Sequence, residues 1–264
     1  MSKIPLSVFI IAQNEEDRIT PIINAVKNIA DEILVIDSGS IDKTREVANN
    51  LGAKVIYNKW SGYGPQKVFG ENCCKNDWIL NIDADEEVSP ELALEIQNLF
   101  LNQKQNGGQN EFYGYRIKIV NKFFNEKKPK KLAYFYNQLR LYNRNFAGFK
   151  NSIIHDSVIL INQEKNKIGQ LKNIIYHQSF RSYGHWIEKL NSYSSAQALE
   201  AFEKGKNPSI LKIFFIPAFA FLKAYLIRRY FIYGIDGIFY SYVFSFSRLA
   251  KLIKTRELFR IRKK

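Results

Sequence analysis

The sequence predicts an α/β fold in which a mostly parallel sheet is covered by helices on both faces, followed by a helical C-terminal extension. Short apolar runs alternate with segments of about ten residues that carry apolar side chains at helical spacing. The runs are apolar throughout rather than at every second residue, which is typical of strands buried on both faces of a parallel sheet. A change in composition at residue 209 predicts the extension.

The first half of the chain alternates predicted strands and helices. The strands are expected at 6–12, 32–36, 53–57 and 78–82. The helices are expected at 17–29, 42–51, 64–75 and 89–101. The last of these helices opens with Ser89-Pro90, a capping serine followed by a proline at the first helical position. This order predicts parallel strands joined by crossover helices.

Beyond residue 112 the pattern becomes less regular. Strand-like pieces at 113–120, 138–142 and 158–161 surround a basic loop at 127–131. An amphipathic helix follows at 183–204. In α/β enzymes such a second half commonly shapes the site of the second substrate.

The positive charge of the chain is concentrated at its C-terminal end. The net charge is +14, of which residues 1–209 contribute +4 and residues 210–264 contribute +10. A nucleic-acid-binding protein is expected to carry basic residues on its folded body or a recognisable binding motif, and neither is found. We therefore expect no nucleic-acid partner. The two cysteines, Cys73 and Cys74, are adjacent and rarely form a strain-free disulfide, which favours a reducing, cytoplasmic compartment.

The tail combines this charge with aromatic bulk, since it holds 14 of the 35 Phe and Tyr residues. Its apolar segment 213–227 spans only about 22 Å as a helix, short of the roughly 30 Å of a bilayer core. We therefore predict helices that lie on an anionic membrane surface, with a packed helical subdomain as the alternative. The expected domains are a catalytic domain over 1–208 and a basic aromatic tail over 209–264, peripherally bound to the inner membrane from the cytoplasm.

Carboxylates follow three of the predicted strands, where ligands bind in open parallel sheets. They include Glu15, Asp37, Asp83 and Asp85. Carboxylates gathered at one edge repel one another unless a cation lies among them. Mg²⁺ or Mn²⁺, bound through one or two carboxylates and the phosphates of a ligand, suits such a site. The pattern predicts a nucleotide-diphosphate substrate; the alternative is that Asp83 and Asp85 only begin a turn and cap the next helix.

Several segments in order resemble family 2 glycosyltransferases of the GT-A fold, and within them the lipopolysaccharide core glycosyltransferases. The segments are 7–16, 35–44, 81–86, Gly62-Tyr63-Gly64-Pro65-Gln66-Lys67, His155-Asp156 and 177–191. The resemblance covers about residues 4–245 and implies a Rossmann-like sheet. Two positions depart from the family pattern. Val68 stands where an Asn often follows the Gln-Lys pair, and His155-Asp156 replaces the usual His-Glu.

The resemblance implies transfer of glucose or another hexose from a UDP-sugar to a lipopolysaccharide core or other lipid-linked saccharide. The donor-binding residues that it implies are Ala12, Asn14, Glu15, Asp37, Gln66, Lys67 and Asp83. Asp85 would hold the divalent ion. His177 is a candidate second ligand, although a structural, hydrogen-bonded histidine is the alternative.

Inverting transfer needs a base that takes the proton of the acceptor hydroxyl, and a buried carboxylate suits this task. Asp156 is the candidate base; the alternative is a surface turn residue ahead of the strand 158–161. Arg140, Arg144 and Arg181 are candidate phosphate partners because a guanidinium group offers a bidentate fork.

We therefore expect a metal-dependent inverting glycosyltransferase. One alternative is a sugar nucleotidyltransferase, but Ala12-Gln13-Asn14-Glu15 stands where a glycine-rich phosphate loop is expected. A second alternative is a non-catalytic basic protein that binds a membrane or nucleic acid.

Overall fold

A computed structural model describes residues 3–105, 112–150, 157–161 and 167–262. The chain divides into two compact units. The first consists of Met1–Val120 and Phe135–His177, and the second of Asn121–Tyr134 and Gln178–Lys264.

The first unit is built on an eight-stranded sheet. Its strands are β1 (Ile4–Ala12), β2 (Ala30–Asp37), β3 (Lys54–Tyr57), β4 (Trp78–Asp83), β5 (Glu86–Val88), β6 (Gly114–Asn121), β7 (Phe135–Asn143) and β10 (Ile168–His177). β8 (Ala147–Phe149) and β9 (Val158–Leu160) form a separate two-stranded sheet. The strand order in the large sheet is β3-β2-β1-β4-β7-β6-β10-β5.

The sheet is parallel in its first half and changes direction in its second. β3, β2, β1 and β4 are parallel, as predicted. β4 pairs with β7, β7 with β6, and β5 with β10, all antiparallel. Antiparallel neighbours need no crossover helix, which explains why the helical pattern of the sequence stops after residue 105. The predicted α/β class is confirmed, and the sheet is mixed rather than mostly parallel.

Four helices accompany the parallel strands. They are α1 (Ile19–Val26), α2 (Thr44–Asn50), α3 (Tyr63–Cys73) and α4 (Pro90–Gln105). α1 buries all four residues of its apolar stripe, Ile19, Ile22, Ile23 and Val26. At the start of α4 the backbone N–H of Leu92 donates to Ser89 Oγ at 3.2 Å, as the predicted cap requires.

Strand β1 explains why the central runs are apolar throughout. Val8 and Ile10 point into one hydrophobic cluster, and Phe9 and Ile11 point into another. Successive side chains of a strand face opposite sides of the sheet, so a strand between two apolar layers has no polar face.

The second unit is helical. Its elements are α5 (Tyr183–Glu203), α6 (Ile210–Leu222), a π-helical segment Lys223–Ile227, a short 3-10 helix Tyr230–Tyr233 and α7 (Ile235–Ile261). The segment Asn121–Tyr134 contributes to its core through Phe123, which stacks on Tyr240 with ring centroids 3.7 Å apart. The Phe123 ring also lies 5.9 Å from the ring of Trp186 in α5.

One helix within the described part of the chain is long and apolar enough to cross a membrane, by length and composition alone. It is Ile210–Ile227, with 18 residues and a mean hydropathy of 2.0. The helical extension that the sequence predicts is confirmed, and its first helix begins three residues earlier than the predicted segment 213–227.

The contact between α3 and β1 leads to a stability prediction. A Cβ atom added at Gly70 would lie 2.6 Å from Phe9 Cδ2 and 3.1 Å from Ile36 Cγ1. We expect Gly70→Ala to lower the free energy of unfolding by about 1–3 kcal/mol, since the core must shift to accept the methyl group. Urea denaturation followed by circular dichroism measures this.

Gly184→Ala in α5 is the matched control. The nearest atom to its added Cβ is Ser182 Oγ at 3.7 Å. The variant should be neutral, or more stable by up to about 1 kcal/mol from helix propensity. Equal unfolding curves for Gly70→Ala and the wild type would contradict the close packing.

Candidate active site

The buried carboxylate of Asp37 organises the loop that follows β2. Asp37 pairs with Ala12 at the ends of β2 and β1, and it is fully buried. Its Oδ1 accepts hydrogen bonds from the backbone N–H groups of Gly39 and Ser40, both at 3.0 Å, and its Oδ2 accepts one from the Ser40 hydroxyl. Gly39 has φ of +100°, a conformation that favours glycine. Asp37 therefore fixes the turn in place.

Asn14 connects this turn to the end of β1. Its backbone N–H donates to Ser40 Oγ at 2.9 Å, and its Oδ1 accepts the N–H of Ile41 at 2.9 Å. Asn14 has φ of +57°, which asparagine tolerates better than most residues. The two strand-end loops are thus linked through side chain and backbone.

Glu15 is oriented by two neighbours. Its carboxylate accepts hydrogen bonds from Arg18 Nε and Nη2, both at 2.7 Å. Its backbone N–H donates to Thr44 Oγ1 at 2.7 Å, at the start of α2. Ala12, Asn14, Glu15 and Asp37 lie on adjoining strand ends, as predicted, but Asp37 and Glu15 already have strong protein partners.

Gln66 connects the start of α3 to the same edge. Its Oε1 accepts a hydrogen bond from Asn58 Nδ2 at 2.7 Å, and its Nε2 donates to Ser38 Oγ at 3.1 Å. Gln66 is fully buried and so is Lys67. Both side chains point into the protein.

Asp83, at the end of β4, lies between two cations. Lys67 Nζ is 2.9 Å from Asp83 Oδ1, and Arg140 Nη2 is 3.1 Å from Asp83 Oδ2. Burial opposes ionisation of Asp83, but the charges and hydrogen bonds of Lys67 and Arg140 outweigh it and hold the pKa of this carboxyl well below its usual range. Asp83 is therefore a carboxylate held by protein cations.

Glu86 is the second anion of this cluster. Arg140 donates from Nη2 to Glu86 Oε1 at 2.6 Å and from Nη1 to Asn81 Oδ1 at 2.6 Å. Glu86 also accepts the backbone N–H of Asp83 at 3.0 Å. Burial, with the nearby Asp83 charge, raises the pKa of Glu86 despite Arg140. We call Lys67, Asp83, Glu86 and Arg140 the ion cluster: two cations and two acids.

Asp85 faces His177 because β5 pairs with the end of β10. His177 lies opposite Glu86 in this antiparallel pairing. Its Nε2 is 3.5 Å from Asp85 Oδ2, and both side chains remain partly exposed. Burial opposes protonation of His177, but the hydrogen bond and charge of Asp85, with the charges of Glu86 and Asp83, raise its pKa above the usual value.

The other candidates from the sequence have different outcomes. Asp156 and His155 lie outside the described residues. Arg144 donates from Nη1 to the carbonyl oxygen of Cys74 at 2.6 Å. The Arg181 backbone N–H donates to His185 Nδ1 at 3.1 Å. Of the three arginines named from the sequence, Arg140 is the one in the ion cluster, where it donates to Asp83, Glu86 and Asn81.

Comparison with known proteins identifies the family of this chain. The family model for glycosyl transferase family 2 matches residues 7–169. This chain belongs to glycosyltransferase family 2. The match begins in β1 and extends to the start of β10, so it includes the ends of β1, β2 and β4 but not His177. The mixed sheet with its surrounding helices is the GT-A fold of this enzyme family.

Two relatives match this family 2 glycosyltransferase over nearly its whole length. A Rickettsia bellii (strain RML369-C) protein, named an uncharacterized glycosyltransferase, is 46% identical and covers 96% of this chain and 86% of its own length. The lipopolysaccharide core biosynthesis glycosyltransferase LpsC of Rhizobium meliloti (strain 1021) is 28% identical and covers 97% and 94%. The crystal structure of S. aureus TarS 1–349 superposes with a TM-score of 0.44 at 14% identity, covering 97% of this chain and 91% of that one.

The donor set of the glycosyltransferase fits a divalent ion in part. Among the described residues, no group of three or more His, Cys, Asp and Glu side chains can hold a metal. Asp85, in the turn before β5, supplies one carboxylate, and His177, at the end of β10, supplies one imidazole. Mg²⁺ and Mn²⁺ sites in such enzymes take one or two protein ligands and complete their shell with substrate phosphates and water. The pair therefore fits an ion that arrives with a diphosphate.

Sequence reasoning missed Glu86 and the inward direction of Lys67. Glu86 stands in the acidic run 83–87, where carboxylates look alike in sequence. What separates them is the strand β5, only three residues long, which turns Glu86 inward and leaves Asp85 partly exposed. A strand of three residues is too short to show the alternation of apolar and polar residues that predicts a strand.

The ion cluster leads to a prediction on Arg140. Arg140→Gln keeps a polar side chain but leaves Asp83 and Glu86 with only Lys67 to compensate their charge. Removing one partner from a buried ion pair typically costs about 3–5 kcal/mol, and we expect a loss of this size in the free energy of unfolding.

Arg116→Gln on the neighbouring strand β6 is its control. Arg116 is exposed, so a change within about 0.5 kcal/mol is expected. Urea denaturation of both variants checks the difference. Equal losses would show that Arg140 contributes no more than a surface arginine.

Proposed function

We propose that this family 2 enzyme transfers a hexose, with inversion, from a UDP-sugar to a lipid-linked saccharide such as a lipopolysaccharide core. The arrangement at the end of β4 supports this proposal: Asp83 is paired with Lys67 and Arg140, whereas the neighbour of Asp85 is His177. The two aspartates of one Asp-x-Asp motif therefore have different tasks.

The donor is bound, in this proposal, by the loops that Asp37 and Asn14 hold together. Ala12, Asn14, Glu15 and Asp37 form the base and ribose side of the site. Gln66 supports this side through its bond to Ser38. Lys67 and Asp83 act on the donor indirectly, because Lys67 is buried and its ammonium group is directed to Asp83.

Asp85 and His177 are the residues proposed to hold the divalent ion. A bound Mg²⁺ or Mn²⁺ neutralises the negative charge that develops on the leaving diphosphate. His177 Nε2 lies 3.5 Å from Asp85 Oδ2, so the two proposed ligands are already close together. Because His177 gains a proton more readily than usual, binding of the ion competes with protonation and should weaken as the pH falls.

The base in this proposal is Asp156. It takes the proton of the acceptor hydroxyl as the glycosidic bond forms on the face opposite the leaving diphosphate. A carboxylate in this role works best when burial brings its pKa towards neutrality.

The acceptor and the cellular address are proposed from the relatives and the tail. LpsC, 28% identical, is named for lipopolysaccharide core biosynthesis. The tail 209–264 combines exposed aromatic side chains with basic residues, which fits peripheral binding to an anionic membrane. Cys73 and Cys74 are free thiols, in keeping with a cytoplasmic location.

Asp85→Ala tests the metal role. With Mn²⁺ and a UDP-hexose, the wild type should release UDP, and the variant should do so about 100-fold more slowly or worse. Asp77→Ala, an exposed aspartate just before the other end of β4, is the control and should retain wild-type rates. A panel of donors on which Asp85→Ala and the wild type act alike would reject the proposed site.

Asp156→Asn tests the base. The variant should bind donor normally, measured by thermal shift with Mn²⁺, but lose transfer to acceptor by about 100-fold or more. Asp156→Glu restores a carboxylate and should retain part of the transfer. Normal turnover of the Asn variant would remove Asp156 from this role.

A further inference from the structure

The helix Ile210–Ile227 in the second unit leaves large apolar side chains in water. Phe214, Phe215 and Phe219 are 71, 69 and 65% exposed, and Leu222 and Ile227 are more than half exposed. An apolar surface of this size on one helix marks an interaction site. Arg228 and Arg229 follow it directly.

The segment around residues 127–132 is hydrogen-bonded to the segment that contains these arginines. Lys130 Nζ donates to the carbonyl oxygen of Ile232 at 3.3 Å and lies 5.1 Å from the ring centre of Tyr233. Arg229 Nη1 donates to the carbonyl oxygen of Leu132 at 3.3 Å. The loop 127–131 therefore lies next to the end of the apolar helix, although about one hundred residues separate them in sequence.

These two segments form a basic collar, which we define as Lys127, Lys128, Lys130 and Lys131 with Arg228 and Arg229. The four lysines and Arg229 are exposed. Arg228 is half-buried and its guanidinium lies 5.1 Å from the ring centre of Tyr134 and 4.3 Å from that of Phe244. The nearest acid is Glu126, 4.0 Å from Lys130.

The collar lies in the compact unit that carries the positive charge of the chain. Without its four lysines, residues 1–209 carry 23 basic and 23 acidic side chains. Counted by compact unit, residues 1–120 and 135–177 carry 18 basic and 19 acidic side chains, whereas 121–134 and 178–264 carry 21 and 6. The positive charge therefore belongs to the unit that contains both the loop and the tail, and the loop is bonded to the tail.

We infer that the basic collar and the exposed face of helix 210–227 form one docking surface for an anionic phospholipid membrane. The apolar side chains insert at the level of the headgroups, and the collar binds the lipid phosphates. The inference rests on the proposed membrane address of the tail and adds to it a binding role for loop 127–131.

The charge pattern favours a helix lying on the surface over one crossing the membrane. Lys212 and Lys223 are exposed within the apolar helix itself. They are the third and the fourteenth of its 18 residues, so a helix that crossed the membrane would carry both within its span. Lysines at such positions reach the headgroups easily from a helix parallel to the surface. Exposed Leu132, at the end of the loop, offers a further apolar side chain beside Arg229.

The test measures binding of the full-length protein to lipid vesicles by co-sedimentation. The vesicles are pure phosphatidylcholine, or a roughly 2:1 mixture of phosphatidylcholine and phosphatidylglycerol. The collar variant is Lys127→Gln/Lys128→Gln/Lys131→Gln; it spares Lys130 because of its bond to Ile232. Each charge near the surface changes affinity about fivefold, so the triple variant should bind the mixed vesicles about 100-fold more weakly.

The matched control removes the same charge elsewhere. Lys27→Gln/Lys54→Gln/Lys172→Gln changes three exposed lysines of the first unit and should bind like the wild type. Phe214→Ser/Phe215→Ser/Phe219→Ser should weaken binding to both kinds of vesicle. Donor hydrolysis without vesicles separates this inference from the proposed function: the collar variant keeps it, whereas Asp85→Ala loses it but still binds vesicles.

Three results would overturn the inference. The first is equal binding of the wild type to both vesicles, which would remove the collar. The second is an equal loss in the collar variant and its control, which would reduce the effect to net charge. The third is retention of the protein in cell membranes after alkaline carbonate extraction, which would indicate a crossing helix.

Discussion

The ion cluster at the end of β4 constrains the rest of the first unit. Buried charges are costly unless each is paired and hydrogen-bonded, and here Lys67 and Arg140 balance Asp83 and Glu86. The four residues come from α3, β7, the end of β4 and the start of β5. None of these elements can move without leaving a charge uncompensated. Because apolar residues of similar volume would often serve stability equally well, stability alone does not account for such a cluster.

The change of direction in the sheet is what allows the cluster to form. Arg140 can reach Asp83 because β7 pairs antiparallel with β4, with Leu141 opposite Leu80. A further parallel strand at this position would need a crossover of a dozen residues or more. On the other side, β5 returns along β10 and brings His177 to Asp85. The parallel half supplies the loops around Asp37, and the antiparallel half supplies Arg140 and His177.

The sequence was sufficient for elements with strong local signals. The four parallel strands and their helices follow from apolar runs and helical spacing, and helix α5 ends one residue before its predicted end at 204. The grouping of Ala12, Asn14, Asp37, Asp83 and Asp85 at one edge follows from the rule for parallel strands. The pairing of Asp83 with Arg140 could not be predicted, because it depends on contact between β4 and β7, which lie about sixty residues apart in sequence. For the same reason Arg140 was indistinguishable from Arg144, which bonds the backbone of Cys74.

A count of charges along the sequence likewise does not show which charges lie together in the structure. Counted along the chain, residues 1–209 are nearly balanced and the tail is basic, which assigns loop 127–131 to the wrong group of charges. In the structure this loop belongs to the compact unit that contains the tail, and Lys130 and Arg229 bond across the two segments. Electrostatic attraction to a charged surface falls off within about 10 Å in physiological salt, so only charges that lie together act together. The four lysines therefore add to Arg228 and Arg229, with which they share one compact unit.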